Sequence, residues 1–142
     1  MAFILKKLSK EEAEELCRED GPLYAAYLKS GGEYLHDLPD YLAIDEEENV
    51  SFGLLEMHSH MNDRRHRFLL RVENEYIVFQ YKKYTDVIFL HSSPLLEKHF
   101  DKVKHLICEG FKVAGRLGNG NREGIPGVPF PLTFKFDPRM GN

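Results

Sequence analysis

Residues 50–91 constrain the fold more than any other stretch, because four β-rich runs follow one another with only short polar breaks between them. They are Val50 to His58, His66 to Glu73, Tyr76 to Lys82 and Thr85 to His91. Runs joined by polar turns of this kind pair antiparallel, as a meander. Val72-Glu73-Asn74-Glu75-Tyr76 has the length and the asparagine of a tight hairpin, and Lys82-Lys83-Tyr84 suits another.

A meander needs a cover for its apolar face, and the chain supplies one next. Ser92-Ser93-Pro94 joins a capping serine to a proline suited to a first helical turn. Leu95, Leu96, His99, Phe100, Val103, Leu106 and Ile107 then keep helical spacing. This predicts one long helix across the sheet, ending near Gly110, although the spacing continues through Phe111, Ala114 and Leu117. Upstream, Ser9-Lys10-Glu11-Glu12 fits a capping box for a helix from about Lys10 to Arg18. Asp20-Gly21-Pro22 opens a short second helix carrying Leu23, Ala26 and Tyr27, which stops at Gly31-Gly32. Beyond Gly115 the chain is rich in Gly, Pro and Asn, with one strand expected at Leu132 to Phe136. The expected fold is α+β: an N-terminal helical segment, a four-stranded antiparallel meander with one long helix packed on it, and a C-terminal strand extending the sheet. A single domain, 1–142, accounts for the whole chain.

An apolar share of 42% with 10 Phe and 7 Tyr supports a folded core. The apolar run Phe3 to Leu5 is too short for a secretory leader, and no run approaches the roughly 18 residues that span a bilayer. A soluble, cytoplasmic protein with no membrane role is expected. Cys17 and Cys108 belong to no metal-binding spacing and read as reduced thiols on helices. No cofactor is implied.

Charge is distributed unevenly. From Gly31 to Asp63 there is no Lys or Arg, but there are nine acids: Glu33, Asp37, Asp40, Asp45, Glu46, Glu47, Glu48, Glu56 and Asp63. Residues 1–56 hold 14 acids against 5 Lys/Arg, while residues 57–142 hold 14 Lys/Arg against 9 acids. Asp45 to Asn49 reads as an exposed turn, and Leu38, Tyr41, Leu42 and Ile44 as anchors that hold this acidic connector to the body. Carboxylates on such a surface either pair with the chain's own bases or form a docking face for a basic protein. In the docking reading the face is made by Tyr34, Asp37, Asp40, Tyr41, Asp45, Glu46, Glu47 and Glu48, with the tyrosines as anchors. The function expected from size and charge is non-catalytic binding of a basic protein partner, of the immunity, antitoxin or secretion-chaperone type.

The competing expectation is catalytic. His58 and His60 share one face of a strand end, His66 opens the next strand, and Arg64 and Arg65 lie between them. A histidine pair with an arginine supplies a base, an acid and a charge stabiliser, the minimum for metal-free chemistry on phosphorylated or nucleotide substrates. The same histidines lack a completed metal-ligand set, so no metal is expected. Gly115 to Gly124 is glycine-rich but lacks the Gly-Lys-Ser/Thr of a phosphate loop and follows a helix instead of a strand. Arg71, Tyr76, Tyr81, Lys82, Lys83 and Tyr84 interleave as in nucleic-acid binders, but a pI near 6.0 and the acid block weigh against that partner.

Overall fold

The computed structural model describes residues 3–33, 35, 38–57, 65–82, 84–117 and 128–136. Five strands form one antiparallel sheet in the order β1-β2-β3-β4-β5. They are β1 (Phe3–Lys7), β2 (Tyr41–Asp45), β3 (Val50–Met57), β4 (Arg65–Val72) and β5 (Glu75–Lys82). The expected hairpin is present, since Val72 pairs with Glu75 across a two-residue turn. The class is α+β, as the patterning implied, but the strand inventory differs from the expected meander at both ends.

At the front, the sheet gains two strands from the N-terminal run and the acidic connector, neither of which was expected to form a strand. Tyr41–Asp45 alternates, with Ala43 and Asp45 directed to one face and Leu42 and Ile44 to the other. A four-residue turn returns it to β3, and β1 then pairs along its full length, from Phe3 with Asp45 to Lys7 with Tyr41. At the back, the fourth expected run does not join this sheet. Instead β6 (Val87–Leu90) pairs in parallel with β7 (Thr133–Phe136), so the C-terminal strand builds a separate two-stranded sheet. Ile88 and Leu90 on β6 are buried in the main core while Phe89 between them is exposed, which orients this ribbon on the flank of the domain.

Both faces of the main sheet are covered. On one face Phe52, Phe68 and Phe79 stack across neighbouring strands, with Phe52–Phe68 centroids 5.1 Å apart and Phe68–Phe79 5.6 Å. Phe111 from the covering helix lies 4.7 Å from Phe68. Each such ring, fully buried, contributes on the order of 2 kcal/mol of transfer free energy. On the other face Leu42, Leu55, Leu69 and Val78 meet Cys17, Leu23 and Tyr27. These last belong to α1 (Lys10–Leu16), its C-terminal cap, and α2 (Pro22–Lys29). The capping box forms as expected: Glu12 N donates to Ser9 Oγ at 3.0 Å, and Ser9 N to Glu12 Oε1 at 3.2 Å.

The single long helix is instead a path of three segments, α3 (Pro94–Lys98), α4 (Phe100–Lys112) and α5 (Ala114–Leu117). Ser93 caps α3 by accepting from Leu96 N at 3.1 Å, and the path breaks at His99 and Val113. Gly110 does not end it. That glycine sits inside α4 against the Phe52 ring, where a β-carbon would collide with the ring, so its role is close approach of helix to sheet. Apolar spacing through Phe111, Ala114 and Leu117 therefore reports one continuous buried face, and all three side chains are buried. Cys17 and Cys108 are free thiols, and burial pushes Cys17 up to about 11.

Candidate functional site

The antiparallel order brings the β2–β3 turn, Glu46 to Asn49, beside the β4–β5 turn at Glu73 and Asn74. Glu73 N donates to Asn49 O at 2.7 Å and fastens one turn to the other. Both turns contain a glutamate with left-handed backbone, Glu48 at φ 59° and Glu73 at φ 54°. Non-glycine residues adopt this conformation at a cost of order 1 kcal/mol. Arg71 on β4 reads both of them. Its guanidinium donates to Glu48 O at 2.9 Å and Glu73 O at 2.6 Å, and through Nε to Ser51 Oγ at 3.0 Å.

The opposite face of this end is tied by α4. Asp45 closes β2 and is only 3% exposed, which corrects its reading as part of an exposed turn. Its Oδ1 accepts from Val50 N at 2.8 Å, and its Oδ2 lies 2.8 Å from Lys102 Nζ. Strand alternation explains the burial: Asp45 shares the α4-facing side with Ala43, and only a cation from α4 makes a charge tolerable there. Burial raises the Asp45 carboxyl, but the Lys102 bond and the Val50 amide outweigh it and leave the group below its ordinary value. Lys102 also approaches Glu47 Oε2 at 3.6 Å.

A second carboxylate is held at the α3–α4 junction. His99 Nε2 lies 2.8 Å from Glu73 Oε2, and Lys98 Nζ lies 3.5 Å from the same oxygen. The His99 contact, with Lys98, holds the Glu73 carboxyl below its ordinary value. His91 Nε2 stands 3.6 Å from Glu75 Oε1. A shallow cleft of about 400 Å³ opens here, lined by Glu97, Lys98, His99, Phe100, Asp101 and Lys102. Its chemistry is limited by prior engagements, because His99 and Lys102 already face carboxylates. The nearby hydroxyls are also committed, with Ser92 donating to Glu97 at 3.0 Å and Ser93 serving as a cap.

These ties divide the expected acidic face. Glu46, Glu47 and Glu48 remain exposed, Glu47 at 72% of its side chain. Glu46 and Glu48 carry no side-chain ion pair among the described residues. Asp40 is exposed and Tyr41 half-buried, but they lie at the other end of β2, five residues or about 16 Å away. Tyr34 and Asp37 lie outside the described residues. Among the described residues, the acids of the expected face that stand together are those of the three-glutamate turn.

Of the catalytic expectation, His58, His60 and Arg64 lie outside the described residues. His66 is fully buried, on the face of β4 that also carries Phe68, and it meets that ring edge-on at 6.4 Å. Period-two alternation with Phe68, Leu70 and Val72 was the available sign that His66 points inward. Among the described residues, no three His, Cys, Asp or Glu side chains come together at a spacing that holds a metal ion. The strand ends that bracket residues 58–64, Met57 and Arg65, lie at the opposite end of β3 from the acidic turn. The interleaved aromatic and basic residues do not form one surface either. Tyr81 is buried and donates to Thr85 O at 2.8 Å, while Arg71 is consumed by the two turns.

Arg71, Glu73, His99 and Lys102 are the site residues that sequence reasoning missed. The predicted hairpin could have located Glu73; nothing local marks the other three. No described helix is long and apolar enough to cross a membrane. No family model matches this chain, and neither a curated protein nor a solved structure matches it.

Proposed function

We propose that this chain is a non-catalytic binding protein whose Glu46-Glu47-Glu48 turn docks a basic protein partner, of the immunity, antitoxin or secretion-chaperone kind. The observation that carries this reading is Glu48. It occupies a left-handed position where glycine or asparagine is intrinsically favoured, its carbonyl is held by Arg71, and its carboxylate projects to solvent. A strained, exposed acid on an anchored backbone suits presentation of charge better than stability. Anchoring matters because a turn ordered in advance loses less conformational entropy on docking. Like charge gathered on one turn also speeds encounter with a basic surface.

Affinity capture at low salt from native lysate, with the captured protein then produced and its association rate measured, tests the proposal. Glu46→Lys combined with Glu48→Lys should slow association about tenfold at low ionic strength, and the two rates should converge at 1 M salt, where the Debye length is about 3 Å. Melting temperature should stay close to wild type, since neither side chain is buried. A correctly folded double variant that associates at the wild-type rate would overturn the assignment.

A further inference from the structure

The outer edge of β1 is unpaired among the described residues, since β1 ends the strand order and bonds only to β2. We propose that this edge is a self-association surface, on which a second copy of the chain adds antiparallel about a two-fold axis near Leu5. Two five-stranded sheets would then run on as one. The inference rests on the edge strand and its charge pattern, independently of the basic partner.

Charge selects both the occupant and the orientation. One end of β1 carries Lys6 and Lys7, both exposed. At the other end Phe3 pairs with Asp45, which leads directly into the exposed acids Glu46, Glu47 and Glu48. The lysine end also holds exposed Asp40 and the Lys6–Glu12 pair, which leaves Lys7 as its unpaired base among the described residues, while the acids of the other end stand on the β2–β3 turn, one strand in from the edge. Antiparallel addition of an identical strand sets Lys7 opposite the second copy's Phe3, one strand from its Asp45 and the acidic turn that follows, twice over. Parallel addition would set lysines against lysines. Lysine on an edge strand ordinarily discourages pairing; here its position penalises one orientation and favours the other.

Apolar exposure supplies the second argument. Ile4, in the middle of the edge, is 60% exposed and sits across from Ile44. In the two-fold arrangement it faces the second copy's Lys6, whose aliphatic stem can cover it while the ammonium stays with Glu12, its partner at 3.0 Å. Isologous contacts of this kind close on themselves and stop at a dimer. A strand of five residues makes a small interface, so the dimer should be weak, with Kd of order 10–100 µM.

Sedimentation velocity on the full chain tests this, from about 5 to about 300 µM at low salt, a range that brackets that Kd. The expected result is a concentration-dependent shift from monomer to dimer. Lys7→Glu and Ile4→Lys should each weaken it about tenfold, and Lys7→Glu combined with Glu46→Lys should recover most of the loss because the charges are exchanged. All of these positions are exposed, and circular dichroism will report any variant that misfolds. A chain that stays monomeric over the whole range, or a dimer indifferent to both Lys7→Glu and Ile4→Lys, would overturn the proposal. A monomer that still associates with a basic partner would remove self-association alone.

Discussion

Two acid-rich regions of this molecule look alike in sequence and behave differently in structure. Helix α1 carries Glu11, Glu12, Glu14 and Glu15, and the segment from Asp45 to Glu48 carries four acids in a row. On α1 the carboxylates make local, solvent-facing contacts: Glu12 with Ser9 and Lys6, and Glu15 with Arg18 at 2.7 Å. At the turn, long-range ties fix the backbone: Asp45 to Lys102, Glu48 O to Arg71, and Asn49 O to Glu73 N. Acid count therefore does not separate structural charge from presented charge. What separates them is which atoms are tied, and in the turn the ties spare the side chains of Glu46 and Glu48.

The sharpest way to break this contrast is Asp45→Ala. It leaves the Val50 amide unsatisfied in the core and Lys102 without its closest carboxylate, a loss of about 2–3 kcal/mol. Thermal unfolding should show a fall of roughly 4–10 °C for a chain of this size. Acid titration extends the test. The folded-state pKa values of Asp45, Glu73 and Glu12 are all depressed. A depressed carboxyl stabilises the fold above its unfolded value and loses that contribution as pH falls through the folded one. Stability should therefore decline below about pH 4, and Asp45→Ala should flatten that decline when unfolding is followed by denaturant titration at each pH. An undiminished pH slope would mean that the buried Asp45–Lys102 pair is not a stability determinant.

On α1 the largest expected effect comes from the cap and not from a charge. Ser9→Ala removes the acceptor for Glu12 N and should cost about 1 kcal/mol by denaturant unfolding. A smaller effect of opposite sign is expected at the turn. Glu48→Gly relieves the left-handed backbone at φ 59° and should stabilise by about 0.5–1 kcal/mol, while removing one presented carboxylate and slowing partner association. A loss of stability instead would show that the Glu48 side chain supports the fold, and the contrast with Asp45 would fail.

The two regions also mark how far the fold could be read in sequence. The capping box, α2 and the β4–β5 hairpin were legible because each is specified within a few residues: Ser9 with Glu12, Pro22 with Gly31, Val72 with Tyr76. β1 was not, because its pattern is one of pairing. Phe3 and Leu5 are only half-buried, and their strand exists through its register with Ala43 and Asp45. The parallel pairing of Val87 with Thr133 is likewise non-local, and run order alone placed both strands in the wrong sheet. For the site, the exposure of Glu46, Glu47 and Glu48 followed from composition. The burial of Asp45 required knowing that α4 delivers Lys102 across the sheet.

The smallest effect is the most discriminating. On the α1 side, Glu14→Lys in the helix with Glu19→Lys in the turn that follows it changes the net charge by the same amount as Glu46→Lys with Glu48→Lys, and all four positions are exposed. Both pairs should leave stability within about 0.5 kcal/mol of wild type. They should differ in association with the basic partner. At 0.1 M salt the Debye length is about 10 Å, so a partner seated at the turn should feel the turn's own acids more strongly than acids farther from it than that length. The α1 pair should therefore slow association less than twofold, against about tenfold for the turn pair. Equal slowing by both pairs would mean that the partner feels the field of the whole acidic half, and the anchored turn would lose its claim to be the docking face.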